Sequence, residues 1–139
     1  MSVVDILLPV FFQVVLTFVV LLILAFRRFQ AVQGNKVRGP VALRETNWPG
    51  PTRQAEYNFQ NQFELPVLFY VLMILLLVTR QADMVLMMLA WIFVALRVVH
   101  AIIHLTSNDI RLRGPIFIVG ALVLMIMWGL YILRIVAVH

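Results

Sequence analysis

The chain has 139 residues, 63% of them hydrophobic, with a net charge of +5 and no cysteine, and its mean hydropathy is +1.01. Soluble domains run nearer half apolar, so these figures exclude a water-coated globule and indicate an integral membrane protein. The absence of cysteine excludes disulfides, thiolate metal sites and cysteine nucleophiles, and nucleic acid is set aside because the basic residues gather at the ends of apolar runs.

The first apolar run, 6–26, is broken only by Gln13 and Thr17 and is closed by Arg27 and Arg28. No basic segment precedes it, it is longer than a signal-peptide core, and no small-residue cleavage site follows. It reads as a retained spanning helix over about 5–29. The loop after it, 30–52, carries three glycines and three prolines, which argues against a further helix. It is either a plain connector or a lid over a pocket, and Trp48 is a candidate interfacial anchor.

A polar stretch, RQAEYNFQNQFELP, then runs into a purely apolar one over 65–78, predicting a second helix over about 53–79. The third apolar run, 84–104, begins with thirteen uncharged residues and ends in RVVHAIIH, predicting a helix over about 83–106. The fourth, 116–133, lies between RLRGP and Arg134, predicting a helix over about 113–135. The runs are long, rich in Leu and Met, and do not alternate, so strands are excluded. The fold expected is an all-α integral membrane protein, a four-transmembrane-helix bundle forming a single domain over 1–139.

Basic residues count unequally between the connections. The segment 27–53 holds Arg27, Arg28, Lys36, Arg38, Arg44 and Arg53 against Glu45 alone, and the third connection adds Arg111 and Arg113. The opposite side has Arg80 and Arg134. By the positive-inside rule the basic loops face the cytoplasm and both termini lie on the other side.

Residues three and four apart share a helix face. Arg97, His100 and His104 therefore form one stripe, and Asn58, Asn61 and Glu64 another. An arginine inside a span costs about 3 kcal/mol on insertion scales and faces the bundle or a wet cavity. An Arg97–Glu64 pair would offset that cost, and an interhelical polar clasp is one reading of the two stripes. For a metal, His100 and His104 would need Glu64, the one acidic candidate at similar depth, as third ligand, and Ala101 rather than a glutamate follows His100, so no metal centre is expected. One carboxylate among four spans is thin provision for a proton path. The other reading is a ligand site: the arginines at the ends of the first and fourth helices form a cationic rim where the polar faces emerge, suited to a small anionic molecule.

NQFE (61–64), Pro66, RVVHAIIH (97–104) and RLRGP (111–115), in this order on these helices, resemble the MAPEG family, the membrane-associated proteins of eicosanoid and glutathione metabolism. The resemblance covers essentially the whole chain. It implies a homotrimer with glutathione as co-substrate, bound between neighbouring subunits near the cytoplasmic side. A small lipophilic second substrate would arrive from the lipid bilayer. The activity implied is that of a glutathione-dependent transferase or peroxidase, with lipophilic electrophiles or lipid hydroperoxides as substrates.

Carried over by position, Asn61 and Glu64 match residues that hold glutathione, and Arg97 and His100 match the motif of the third helix. Arg113 matches the arginine that stabilises the thiolate, and Arg28 a helix-one arginine near the same site. Two positions depart from the pattern. Tyr57 stands where the family has an arginine, with Arg53 the nearest substitute, and His104 stands where a tyrosine is usual. Tyr57, Arg53 and His104 complete the candidate glutathione contacts.

The departures keep a second function open: a non-catalytic structural or accessory subunit of a larger membrane complex. That reading predicts either an internally closed Arg97–Glu64 clasp with no room for a tripeptide or a pocket that holds lipid. Gly120, Ala121, Trp128 and Gly129 would then offer a docking or packing face.

Overall fold

A computed structural model describes residues 1–37 and 48–138. Its elements are α1 (Val3–Gln33), α2 (Gly50–Asn61), α3 (Leu65–Thr79), α4 (Met84–Leu105) and α5 (Ile110–Val138). With α2 and α3 taken together as Gly50–Thr79, four helical segments are long and apolar enough to cross a membrane. The middle of the first loop, with Arg38, Arg44, Glu45 and the question of connector or lid, lies outside the described residues.

α1 opens on a capping box. The Ser2 hydroxyl accepts from the Asp5 amide at 3.2 Å, and the Asp5 carboxylate accepts from the Ser2 amide at 2.8 Å, satisfying N-terminal donors that the helix cannot. Its 31 residues span about 46 Å, more than the roughly 30 Å hydrocarbon thickness, so its last turns reach past the apolar layer.

The single second helix expected over 53–79 is divided. Pro66 has no amide hydrogen for the Gln62 carbonyl, and its ring crowds that carbonyl. The chain tightens ahead of it: the Gln62, Phe63 and Glu64 amides donate to Phe59, Gln60 and Asn61 at 3.1, 3.0 and 3.3 Å. α3 then restarts at Leu65.

α3 and α4 are joined by a tight turn. Arg80 takes a left-handed conformation (φ 54), and the Gln81 amide returns to the Leu76 carbonyl at 3.1 Å. Asp83 caps α4 through the Leu86 amide at 2.9 Å. From α5, Arg134 clamps the same turn, with an ion pair to Asp83 at 2.6 Å and a bond to the Gln81 carbonyl at 3.2 Å. Arg134 is therefore a tertiary clamp as well as a helix-end charge.

The apolar core lies among α3, α4 and α5, with Ile6 from α1. Phe69 stacks on Phe93 with ring centroids 4.8 Å apart, and Leu72, Leu76, Leu86, Leu124 and Met127 close around them. The outer surface is equally apolar: Phe18, Leu22, Val78, Met125 and Leu133 are all more than half exposed. The polar side chains Gln13, Asn58, Gln62, Arg97, His100 and His104 are buried instead. Apolar outside with polar inside is the arrangement that lipid imposes and water would not tolerate.

One buried network ties three helices at the level of the break. Gln13 of α1 donates to the Gln62 carbonyl oxygen Oε1 at 2.9 Å. Gln62 donates to Asn58 Oδ1 at 3.1 Å and to the Asn58 backbone carbonyl at 3.3 Å. Asn58 donates to the Ala101 carbonyl of α4 at 3.1 Å. Such bonds contribute about 0.6–1.7 kcal/mol each inside a membrane, and they fix which face of α2 turns inward.

Candidate functional site

Where α2, α4 and the start of α5 meet lies an open-sided groove of about 390 Å³. It sits at the end of the bundle that holds both basic connections. Each helix supplies a stripe. α2 and its broken end present Tyr57, Gln60, Asn61 and Glu64; α4 presents His100 and His104; α5 presents Arg113, Gly114 and Phe117. Tyr57 and Glu64 are exposed, Asn61 and Arg113 half-buried, and the two imidazoles 3% and 4% exposed.

Packing holds the imidazoles. The His100 ring lies 5.8 Å from His104 and 5.8 Å from Phe117, centroid to centroid. Nδ1 of each ring is buried without a hydrogen-bond partner. Arg113 is fixed by its Nη1 donating to Asn108 Oδ1, and Asn108 itself sits in a left-handed turn (φ 51). The α4–α5 connection thus aims the arginine into the groove.

Six of the nine candidates from the sequence meet here: Tyr57, Asn61, Glu64, His100, His104 and Arg113. Arg97 does not line the groove. It is 2% exposed and donates through Nη2 to the Asn61 backbone carbonyl at 3.4 Å. Among the described residues it forms no salt bridge with Glu64, so the clasp considered from the sequence is not closed. Arg28 lies outside the groove, paired with Glu56 at 3.3 Å and stacked over Trp48 at 5.4 Å. Arg53 is exposed and also outside it.

Arg27 is more than a helix-end anchor. Its guanidinium donates to the Pro51 and Leu105 carbonyls at 2.8 and 3.0 Å, joining α1 to the start of α2 and the end of α4. Gln60 and Phe117 escaped the sequence reading, although each follows a residue of the groove at helical spacing, Gln60 three after Tyr57 and Phe117 four after Arg113. Asn58 was grouped with Asn61 and Glu64 by spacing. The structure turns it inward with Gln62, while the other two face the groove.

Chemically, the groove offers one carboxylate, one guanidinium, two imidazoles and amide groups around a space within the usual range of small-ligand sites. A model of the MAPEG family matches residues 6–133 of the chain. No match was found among curated proteins or among solved structures.

Proposed function

The chain belongs to the MAPEG family, and from that premise we propose a glutathione-dependent membrane transferase or peroxidase acting on lipophilic electrophiles or lipid hydroperoxides. The observation that carries this reading is the groove, where six side chains expected to contact glutathione line one cavity of about 390 Å³. Glutathione has one ammonium, two carboxylates, two amides and a thiol. Glu64 is the acidic partner for the ammonium, and Asn61 and Gln60 suit the amides. Arg113 with His100 and His104 favours the anionic groups.

Arg113 carries the chemical role. A thiolate is a far stronger nucleophile than a thiol, and a nearby guanidinium favours it. Lowering the thiol pKa by three units takes about 4 kcal/mol of differential stabilisation, the size of one unit-charge contact at about 4 Å in a half-wet site. The S–H proton leaves to water and the sulfur forms its bond to the electrophilic carbon as the leaving group departs. With a hydroperoxide, two glutathione molecules become the disulfide while the substrate is reduced to alcohol and water.

The open flank of the groove suits closure by a neighbouring subunit in a homotrimer, and Arg28, outside its own chain's groove, is then available at that boundary. In this assignment the two basic connections face the cytoplasm, where glutathione is drawn, and the apolar substrate enters from the bilayer. The structural-subunit alternative predicts a closed Arg97–Glu64 clasp with no room for a tripeptide, or a pocket that holds lipid. The absence of an Arg97–Glu64 salt bridge among the described residues counts against the closed clasp, and the groove's polar and charged lining suits glutathione better than lipid.

The test is isothermal titration of glutathione into the detergent-solubilised protein alongside Arg113→Ala and Glu64→Gln. Micromolar-to-millimolar binding, weakened about tenfold or more in each variant, supports the reading, a loss of about 1.4 kcal/mol or more. A folded wild type that binds no glutathione overturns it.

A further inference from the structure

We infer that Arg97 is a positioning residue, one that grips the broken end of α2 and thereby turns Asn61 and Glu64 into the groove. Its relevance to ligand binding rests on the glutathione reading; its grip on the break does not.

The break is built by Pro66, and it leaves the last carbonyls of α2 without their ordinary helical donors. These carbonyls carry the partial negative charge of a helix C-terminus, which favours a cation. Arg97 is buried behind the groove, and its Nη2 reaches the Asn61 carbonyl at 3.4 Å, a long but charge-assisted contact. The same carbonyl also accepts the Glu64 amide at 3.3 Å. One oxygen is therefore shared by the guanidinium and by the turn that orients Glu64.

Among the described residues the Asn61 contact is the guanidinium's one hydrogen bond, and its Nε is buried without a partner. Arg97 forms no salt bridge among the described residues; Glu64 and Tyr70 act on its charge from a longer range, while the helix end takes its hydrogen bond. The neighbouring network holds the opposite face of the break, through Gln62 to Gln13 and Asn58. Arg97 supplies the grip from α4 on the side nearer the groove. Without it, α2 and α3 are hinged at three residues with i→i−3 bonds, and the groove-facing side chains lose their fixed direction.

The experiment compares wild type, Arg97→Lys, Arg97→Met, Asn61→Ala and the Arg97→Met/Asn61→Ala double variant in detergent. Two readouts are taken: amide hydrogen exchange at Gln62–Leu65 and the glutathione dissociation constant. In Arg97→Met we expect exchange at the break to rise about tenfold, with the rest of α3 and α4 unchanged. Glutathione affinity should fall about tenfold, and Arg97→Lys should return to within about threefold of wild type. Because Arg97 acts through Asn61, Asn61→Ala should cost about tenfold in the wild type and under about twofold after Arg97→Met.

Unchanged exchange at the break in Arg97→Met overturns the grip. Equal costs of Asn61→Ala in both backgrounds overturn the coupling to the groove. Should Arg97→Met fail to fold, Arg97→Lys decides: exchange near wild type supports the inference, and an increase above about tenfold overturns it. A wild type that binds no glutathione overturns the proposed function, while the exchange comparison still judges the grip.

Discussion

Replacing Gln62 by leucine should damage the fold more than replacing Asn58, although both side chains are fully buried in one network. Asn58→Leu removes two bonds, Asn58 to the Ala101 carbonyl and Gln62 to Asn58 Oδ1. Gln62 keeps the Asn58 backbone carbonyl at 3.3 Å, so its amide retains one of its two donor bonds. At about 0.6–1.7 kcal/mol per intramembrane bond, the cost is about 1–3 kcal/mol. Gln62→Leu removes three bonds and strands the Gln13 amide, whose Oε1 already lacks a partner. An unpaired buried polar group adds about 1–3 kcal/mol, bringing the total to about 3–8 kcal/mol. Gln13→Leu loses one bond and leaves the buried Gln62 Oε1 without its donor, costing about 2–5 kcal/mol by the same accounting. The double variant Gln13→Leu/Gln62→Leu has no stranded amide on α1 and should be less destabilised than Gln62→Leu alone. Unfolding by titration with a denaturing detergent, followed by circular dichroism, gives the four values. A Gln62→Leu no worse than Asn58→Leu, or a double variant at or above the sum of the singles, would refute the argument that the stranded amide dominates.

Three further outcomes are expected. Arg134 beside Asp83, helped by the Leu86 amide, holds the Asp83 carboxyl below its ordinary value of 3.8. Its stabilisation of the α3–α4 turn is therefore fully present above pH 3.8 and is lost as pH falls through the lower folded-state value. Asp83→Asn should flatten the acid limb of a stability-against-pH curve, and an unchanged limb would contradict this. Tyr57→Arg places a cation on the exposed rim of the groove and should tighten glutathione binding about three- to tenfold, an effect that shrinks with added salt; weaker binding at low salt would count against the groove as the ligand site. In Arg113→Ala the thiol pKa of bound glutathione, read from thiolate absorbance against pH, should rise by about one to three units, and an unshifted titration would remove Arg113 from the thiolate role.

Four spans, their order and the basic ends of the bundle were legible in the sequence, because a bilayer demands long apolar runs and leaves little freedom in where charges stop them. Asn61, Glu64, His100 and His104 were legible from helical spacing, which puts each on one face of its own helix, whereas Tyr57 and Arg113 were legible only from the order of the family's motifs. The division of the polar residues was not. Asn58 and Asn61 stand three apart and share a broad face, yet one binds inward and the other lines the groove. Pro66 announces the break that separates their roles, but the direction in which α2 turns depends on Gln13 and Ala101, which are remote in sequence.

Arg97 shows the same limit. Its spacing with His100 and His104 left open a ligand stripe or a clasp with Glu64, whereas the docking of α4 against the end of α2 buries it outside the groove lining and sets it on a backbone carbonyl. Periodicity within one helix determines which residues share a face. Only the packing of helices against one another decides what each face meets, because that depends on side chains far apart in the chain competing for the same buried donors and acceptors.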